Sequence, residues 1–205
     1  MIPYGKQTID EIDIAEVASV LRSELITTGP KASEFEKKFA EYVGAKHAIA
    51  VSNGTAALHL ALMVSNIKNG DRVVTSPNTF IASANCAAYV GAIPDFVDID
   101  PVSYNLCPHH LENDWKPDTK AVIAVDYAGQ TADFPEISRI AKKNGAVVIE
   151  DACHAVGGLF EYEGQHWHVG GHPWADMTTF SFHPVKTMTT GEGGMVVTDN
   201  HDYAE

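Results

Sequence analysis

Residues 121–151 contain Ala121-Val122-Ile123-Ala124-Val125-Asp126, then Phe134-Pro135-Glu136-Ile137-Ser138-Arg139-Ile140-Ala141-Lys142-Lys143-Asn144, then Ala146-Val147-Val148-Ile149-Glu150-Asp151. The first and last runs lack the polar alternation of a half-exposed strand, which is the pattern of strands buried on both faces. The segment between them, Phe134–Asn144, has the length and spacing of a crossover helix. The unit is therefore strand, helix, parallel strand. The same alternation runs upstream, where Ala48–Val51, Arg72–Thr75 and Pro94–Val97 read as strands and Ala56–Val64, Ile81–Tyr89 and His109–Asn113 as helices. An α/β fold follows, with a mostly parallel sheet covered by helices on both faces.

Downstream the rhythm changes. Met177–Phe182 and Met195–Thr198 are separated by residues 183–194, which hold Pro184, Gly191, Gly193 and Gly194. Such a connection is too short for a crossover helix, so at least one of these strands is expected to run antiparallel to a neighbour. At the other end, residues 10–24 have the apolar spacing of an amphipathic helix, broken by Gly29-Pro30. Ser33 and Glu36 read as a capping box for a second helix, Glu34–Val43, closed by Gly44. The division is an N-terminal helical segment over 1–30 and a large domain over 31–205.

The chain has 205 residues with 14 Lys+Arg against 27 Asp+Glu, a formal net charge of −13. That balance argues against nucleic acid, which needs clustered cations to release counterions. An anionic ligand must be held by local devices such as helix N-termini. No apolar stretch approaches the roughly 18 residues of a spanning helix, and Met-Ile-Pro-Tyr-Gly-Lys-Gln lacks a signal peptide's apolar block, so neither a membrane nor export is expected and the placement is cytoplasmic. Cys86, Cys107 and Cys153 read as reduced thiols. Cys107 with His109 and His110, and His166 with His168, lack zinc spacing and read as ordinary surface residues, with no metal expected.

Ligands in such sheets gather outside the carboxyl ends of the strands, and the candidates lie there. Ser52-Asn53-Gly54-Thr55-Ala56 follows the first strand and opens a helix. Gly54 permits close approach, and the amides of Thr55 and Ala56 suit an anion, although a simple helix cap has the same composition. Asp151 ends a buried strand, where a carboxylate gains most by pairing with a cation. His154 is a candidate acid, base or hydrogen-bond donor beside an ordinary packed imidazole. Lys186 lies between the strand around Phe180-Ser181-Phe182 and a glycine-rich turn, a place where a lysine can become a nucleophilic amine. Phe80 reads as core or as a flat face for a ring.

Taken in order, Thr28-Gly29-Pro30, Ser52–Leu62, Gly70-Asp71, Asn78-Thr79-Phe80, Asp98-Ile99-Asp100, Glu150-Asp151, Phe180-Ser181-Phe182-His183-Pro184-Val185-Lys186 and Thr190–Gly194 resemble the DegT/DnrJ/EryC1/StrS sugar aminotransferases. These are pyridoxal-phosphate enzymes of the type I, aspartate-aminotransferase-like fold. Asp126-Tyr127-Ala128-Gly129-Gln130, Asp151-Ala152-Cys153-His154-Ala155 and Ser181–Lys186 are most similar to the branch acting in pseudaminic acid synthesis. Its members transfer an amino group to C4 of a UDP-linked 4-keto-6-deoxy-N-acetyl-altrosamine.

The resemblance implies that Lys186 carries the cofactor and then shuttles a proton, while Asp151 keeps the pyridine nitrogen protonated. Gly54, the amides of Thr55 and Ala56, and the Ser181 hydroxyl hold the phosphate, Phe80 covers the ring, and His154 donates to the ring oxygen. It further implies L-glutamate as amino donor and a homodimer. Same-family sugar dehydratases carry His where this chain has Lys186. A nicotinamide-binding domain would need Gly-x-Gly-x-x-Gly after a strand, which is absent. Two departures stand out. The Asp151–Lys186 spacing exceeds that of common members, the excess lying in Glu163–Trp174, which reads as a surface insertion near the site entrance. The family's smaller C-terminal domain is missing, so the large domain is expected to be incomplete, and an inactive fragment or cofactor-binding module is the competing reading.

Overall fold

The computed structural model describes residues 5–205, so residues 1–4 of the 1–30 segment, and most of the stretch read against a signal peptide, lie outside the described residues. Helices α1 (Glu11–Leu21) and α2 (Pro30–Val43) precede strand β1 (His47–Val51). The chain then alternates through α3 (Gly54–Val64), β2 (Arg72–Thr75), α4 (Ala82–Tyr89), β3 (Ile93–Phe96), α5 (Pro108–Asn113), β4 (Thr119–Val125), α6 (Phe134–Lys143) and β5 (Val147–Asp151). A hairpin, β6 (Leu159–Tyr162) and β7 (Gln165–His168), comes before β8 (Met177–Ser181), β9 (Gly194–Thr198) and α7 (His201–Ala204).

The large sheet has the order β1-β9-β8-β5-β4-β2-β3. Strands β3, β2, β4, β5 and β8 are mutually parallel, and β9 runs antiparallel to both β8 and β1. The antiparallel strand expected from the short 183–194 connection is thus β9. Alternation along β4 and β5 sorts the core. Ile123 and Ile149 face Leu58, Leu62 and Cys86 of α3 and α4, whereas Val122, Ala124 and Val148 face Phe134, Ile137 and Ile140 of α6. A third cluster packs Phe39 and Val43 of α2 on Phe180, Phe182 and Val197. By the same two-residue period, Asp151 shares the α3/α4 side with Ile149, and Glu150 shares the α6 side with Val148.

Three local expectations are corrected. Helix α2 begins at Pro30 with Gly29 as its cap residue, so Ser33 lies inside the helix and forms no capping box. Glu36 accepts instead from the Ala50 amide at 2.9 Å, tying α2 to β1; proline at the first helical position loses no intrahelical bond, which lets the helix start early. Gly44 does close it, at φ +84°. Helix α1 forms with Asp10 as its cap but buries none of its residues.

The segment Glu163–Trp174 lies on the surface as expected, with residues 163–166 exposed, but it is not at the site entrance, since none of it lines the cavity at the carboxyl edge of the sheet, and it is anchored by buried residues. The His172 side chain has no exposed surface, its Nε2 lies 3.1 Å from Glu150 Oε1, and its ring stacks near Phe134 with a centroid separation of 4.8 Å. Trp167 and Trp174 pack edge to face. The hairpin and its return are therefore anchored on the α6 side of the sheet. The aromatic content of the segment is the reason: rings of this size gain too much from burial to remain a solvated loop.

Candidate active site

The ends of β1, β5 and β8 lie along one edge of the sheet and open on a cavity of about 570 Å³. It is lined by Gly54 and Thr55 at the start of α3, Phe80 after β2, Asp151 and His154 at the end of β5, and Ser181 and Lys186 at the end of β8. Residues as far apart in sequence as Asn53 and Glu192 thus share one space, because parallel strands deliver all their carboxyl ends to the same edge.

The turn from β1 into α3 is shaped by close packing. A Cβ added at Gly54 would lie 2.9 Å from Cys153 Sγ and 3.0 Å from Ser181 Cβ, and one at Gly194 would lie 2.5 Å from the Asn53 carbonyl carbon. Glycine at both positions lets β9 and the end of β8 press against the first turn of α3. Asn53 caps that helix, its Oδ1 accepting from the Ala56 amide at 2.8 Å. Ala56 is accordingly not a free donor, and it does not line the cavity. This corrects the expectation for that residue: the cap wins because it satisfies the amide locally. The amides of Gly54 and Thr55 have no intrahelical acceptor.

Asp151 is 5% exposed. Its Oδ2 accepts from the Ser83 hydroxyl at 2.7 Å and its Oδ1 from the Cys153 amide at 3.3 Å. Among the described residues it makes no ion pair with a lysine, arginine or histidine. A buried carboxylate left in this state attracts a cationic ligand. Its field reaches its neighbours: burial and then the Asp151 charge push the Cys86 thiol up to about 12 and raise Cys153 well above the ordinary thiol range. Both thiols are poor nucleophiles there.

His154 is half-buried, and burial followed by the Lys186 charge lowers its pKa below the ordinary 6.5. A neutral imidazole of this kind can donate one hydrogen bond into the cavity. Lys186 is half-buried in a turn in which its amide donates to the His183 carbonyl at 2.9 Å. Phe80 is 69% exposed, which removes the core reading and leaves its ring as part of the cavity wall.

Thr79, Asn53, Cys153, His183 and Glu192 also line the cavity; each lies in a motif quoted above, but none was assigned a role at the site. Ser83, in the first turn of α4, lies behind the cavity and touches Asp151, and nothing in the sequence marked it.

The sequence profile of the DegT/DnrJ/EryC1/StrS aminotransferase family matches residues 7–205. The spore coat polysaccharide biosynthesis protein SpsC of Bacillus subtilis is 43% identical over 204 residues, covering 100% of this chain and 51% of that protein. Spr1654 from Streptococcus pneumoniae, assigned as a sugar aminotransferase and solved in its PLP form, superposes with a TM-score of 0.90 at 34% identity, covering 98% of this chain and 54% of the other. Helicobacter pylori PseC, an aminotransferase of pseudaminic acid biosynthesis, gives 0.89 at 32%, covering 98% and 53%. The chain spans about half the length of the curated relatives it matches. A profile that runs from residue 7 to the last residue, on a sheet of this order with the cavity at its carboxyl edge, places the chain in the DegT/DnrJ/EryC1/StrS aminotransferase family.

Proposed function

We propose that the chain is the pyridoxal-phosphate-binding large domain of a sugar aminotransferase. The observation that carries the reading is the pairing, in one cavity, of the buried and cation-free Asp151 carboxylate with the half-buried Lys186 amine. The residues present fit the cofactor: Asp151 offers a carboxylate to a pyridinium nitrogen, the Gly54 and Thr55 amides at the start of α3 lack an intrahelical acceptor and suit a phosphate, and Phe80 presents an open ring face.

When bound, pyridoxal phosphate supplies an aldehyde carbon that captures amines and a ring that accepts electrons from a deprotonated carbon. The residues of the chain do the rest. The Gly54 and Thr55 amides with the Ser181 hydroxyl hold the phosphate at a helix N-terminus, which accounts for anion binding by a chain of net charge −13. Asp151 holds the proton on the ring nitrogen, an interaction contributing about 1.5–3 kcal/mol as a charge-assisted hydrogen bond. Lys186 Nζ would hold the cofactor's aldehyde carbon and, as a free amine, would carry the proton to and from the substrate carbon. Phe80 fixes the plane of the ring. His154 donates to the ring oxygen.

The substrate of the proposed reaction is a nucleotide-linked 4-keto-6-deoxy sugar, UDP-4-keto-6-deoxy-N-acetyl-altrosamine, converted to its 4-amino product with L-glutamate as donor. Similarity to PseC and to the polysaccharide-synthesis protein SpsC supports this class. The proposed setting is a cytoplasmic homodimer. Because the chain covers half of its relatives, a cofactor-binding unit without turnover is the second reading.

Purified chain mixed with pyridoxal phosphate should develop a visible band that borohydride traps on Lys186 and that is lost in Lys186→Ala. No band, or one unchanged in that variant, overturns the assignment. Amino transfer from glutamate to the UDP-keto sugar then separates the enzyme from the cofactor-binding unit.

A further inference from the structure

Serine in the first turn of a helix ordinarily turns its hydroxyl to nearby backbone. Ser83 of α4 does not: fully buried, it reaches across to β5 and places Oγ 2.7 Å from Asp151 Oδ2. Ser83 is also 2.7 Å from Thr79 Oγ1, and Thr79 lines the cavity whereas Ser83 does not. Ser83 has one proton, and it donates that proton to Asp151 Oδ2. Thr79 must then donate to Ser83. Its alternative acceptor, the Phe80 carbonyl at 3.3 Å, is longer than a good hydroxyl bond. The distances therefore favour one orientation, with both hydroxyls ordered toward Asp151.

We propose that Thr79 and Ser83 form a hydroxyl relay that fixes the orientation of the Asp151 carboxylate toward the cationic nitrogen of the ligand. Ser83 is a positioning residue, since it acts through Asp151. The inference rests on the pyridoxal-phosphate reading above and adds to it the groups that hold the carboxylate in place. The relay matters because, among the described residues, Asp151 makes no ion pair that would fix its side chain, and Ser83 is the side chain that holds Oδ2. The other titratable groups acting on or feeling Asp151 are Cys86 on α4, Asp126 after β4, Cys153 and His154 after β5, and Lys186 after β8. None of these is altered by removing the two hydroxyls.

The test uses the purified full chain reconstituted with pyridoxal phosphate carrying 15N at the ring nitrogen, whose chemical shift reports ring protonation directly. In Ser83→Ala the carboxylate is free to turn away from the ring nitrogen, so the pH at which that nitrogen loses its proton should fall by about one unit; a rise, the result of merely removing a donor from the carboxylate, overturns the positioning role. Thr79→Val should produce a smaller fall in the same direction, and Thr79→Ser should restore the wild-type midpoint. A structural role alone would leave the midpoint in place. Should Ser83→Ala not fold, the Thr79→Val and Thr79→Ser pair decides: the same midpoint in both overturns the relay. A wild-type chain whose Lys186-dependent visible band forms normally, with unchanged midpoints in the variants, overturns the relay alone. A wild-type chain with no such band overturns the cofactor reading and the relay with it.

Discussion

His172 Nε2 lies 3.1 Å from Glu150 Oε1, and neither side chain has any exposed surface. The approach is an electrostatic contact rather than an aligned hydrogen bond, since neither atom has a partner in hydrogen-bond geometry. His172 Nδ1 accepts the Trp174 amide at 3.3 Å, which fixes the ring beside the carboxylate. Glu150 Oε2 is held by the Thr178 hydroxyl at 2.6 Å and the Gly170 amide at 3.1 Å. Burial opposes charge at Glu150, yet His172, Thr178 and Asp126 together hold its pKa below the ordinary carboxylate value. His172→Ala would strip a buried carboxylate of one polar neighbour and leave a void beside Phe134. The expected loss is about 3–5 kcal/mol in urea unfolding. His166→Ala, on the exposed strand of the same hairpin, should stay within about 0.5 kcal/mol of wild type. Equal effects would contradict the anchoring role of His172.

Asp126 is fully buried, and burial followed by the Glu150 charge raises its pKa well above 3.8. The folded state thus keeps a proton that the unfolded chain has released. The stability this group contributes is complete below about pH 3.8 and is lost as pH rises through the folded value. Asp126→Asn removes that loss. Its carbonyl can still accept the Ala132 amide, now at 2.9 Å from Asp126 Oδ1, and its amide can donate toward Glu150. The variant should gain stability over wild type as pH increases. Denaturant melts at pH 5 and pH 8 measure this; a gain that shrinks with pH would contradict it.

Gly54→Ala would set a methyl group 2.9 Å from Cys153 Sγ and 3.0 Å from Ser181 Cβ. Those contacts must give, at a cost of about 1–3 kcal/mol of strain. The turn that holds the phosphate should shift, so affinity for pyridoxal phosphate should fall by about tenfold or more. Fluorescence titration of the variant against wild type checks this, with His166→Ala, exposed on β7 and outside the cavity lining, as a control. Equal affinities would mean that the cradle does not depend on this approach.

His154, with its pKa lowered by burial and then by Lys186, gives the opposite slope to Asp126. Here the unfolded chain binds the proton more readily. The contribution is present above about pH 6.5 and is lost as pH falls through the lowered folded value. In His154→Gln, the decline in melting temperature between pH 7 and pH 5 should be shallower than in wild type. An equal decline would assign it to other groups.

Much of the fold is written in local pattern. The uninterrupted apolar runs at 121–125 and 146–149 could be little other than doubly buried strands, and the helix between them could close only as a crossover. Asp151 and Lys186 were legible because a carboxylate at a strand mouth and a lysine before a glycine-rich turn are unusual places for charge. Ser83 was not legible, because a serine inside a helix has no meaning until its partner across the sheet is known. Ala56 was misread because a free helix amide and a capped one have the same sequence, and the difference lies in one Asn53 rotamer.

The sequence by itself determined the alternation of elements, the parallel core and the short link that makes β9 antiparallel, since each follows from side-chain period and connection length. The tertiary structure decided which groups touch. It put Asp151 and Glu150, adjacent in the chain, on opposite faces of β5, one toward the cavity and the other toward His172 and Asp126. It also anchored the exposed segment Glu163–Trp174 through His172, away from the cavity entrance. The physical reason is that strand period fixes the face a residue takes, but only the packing of α3, α4, α6 and the hairpin fixes what waits on that face.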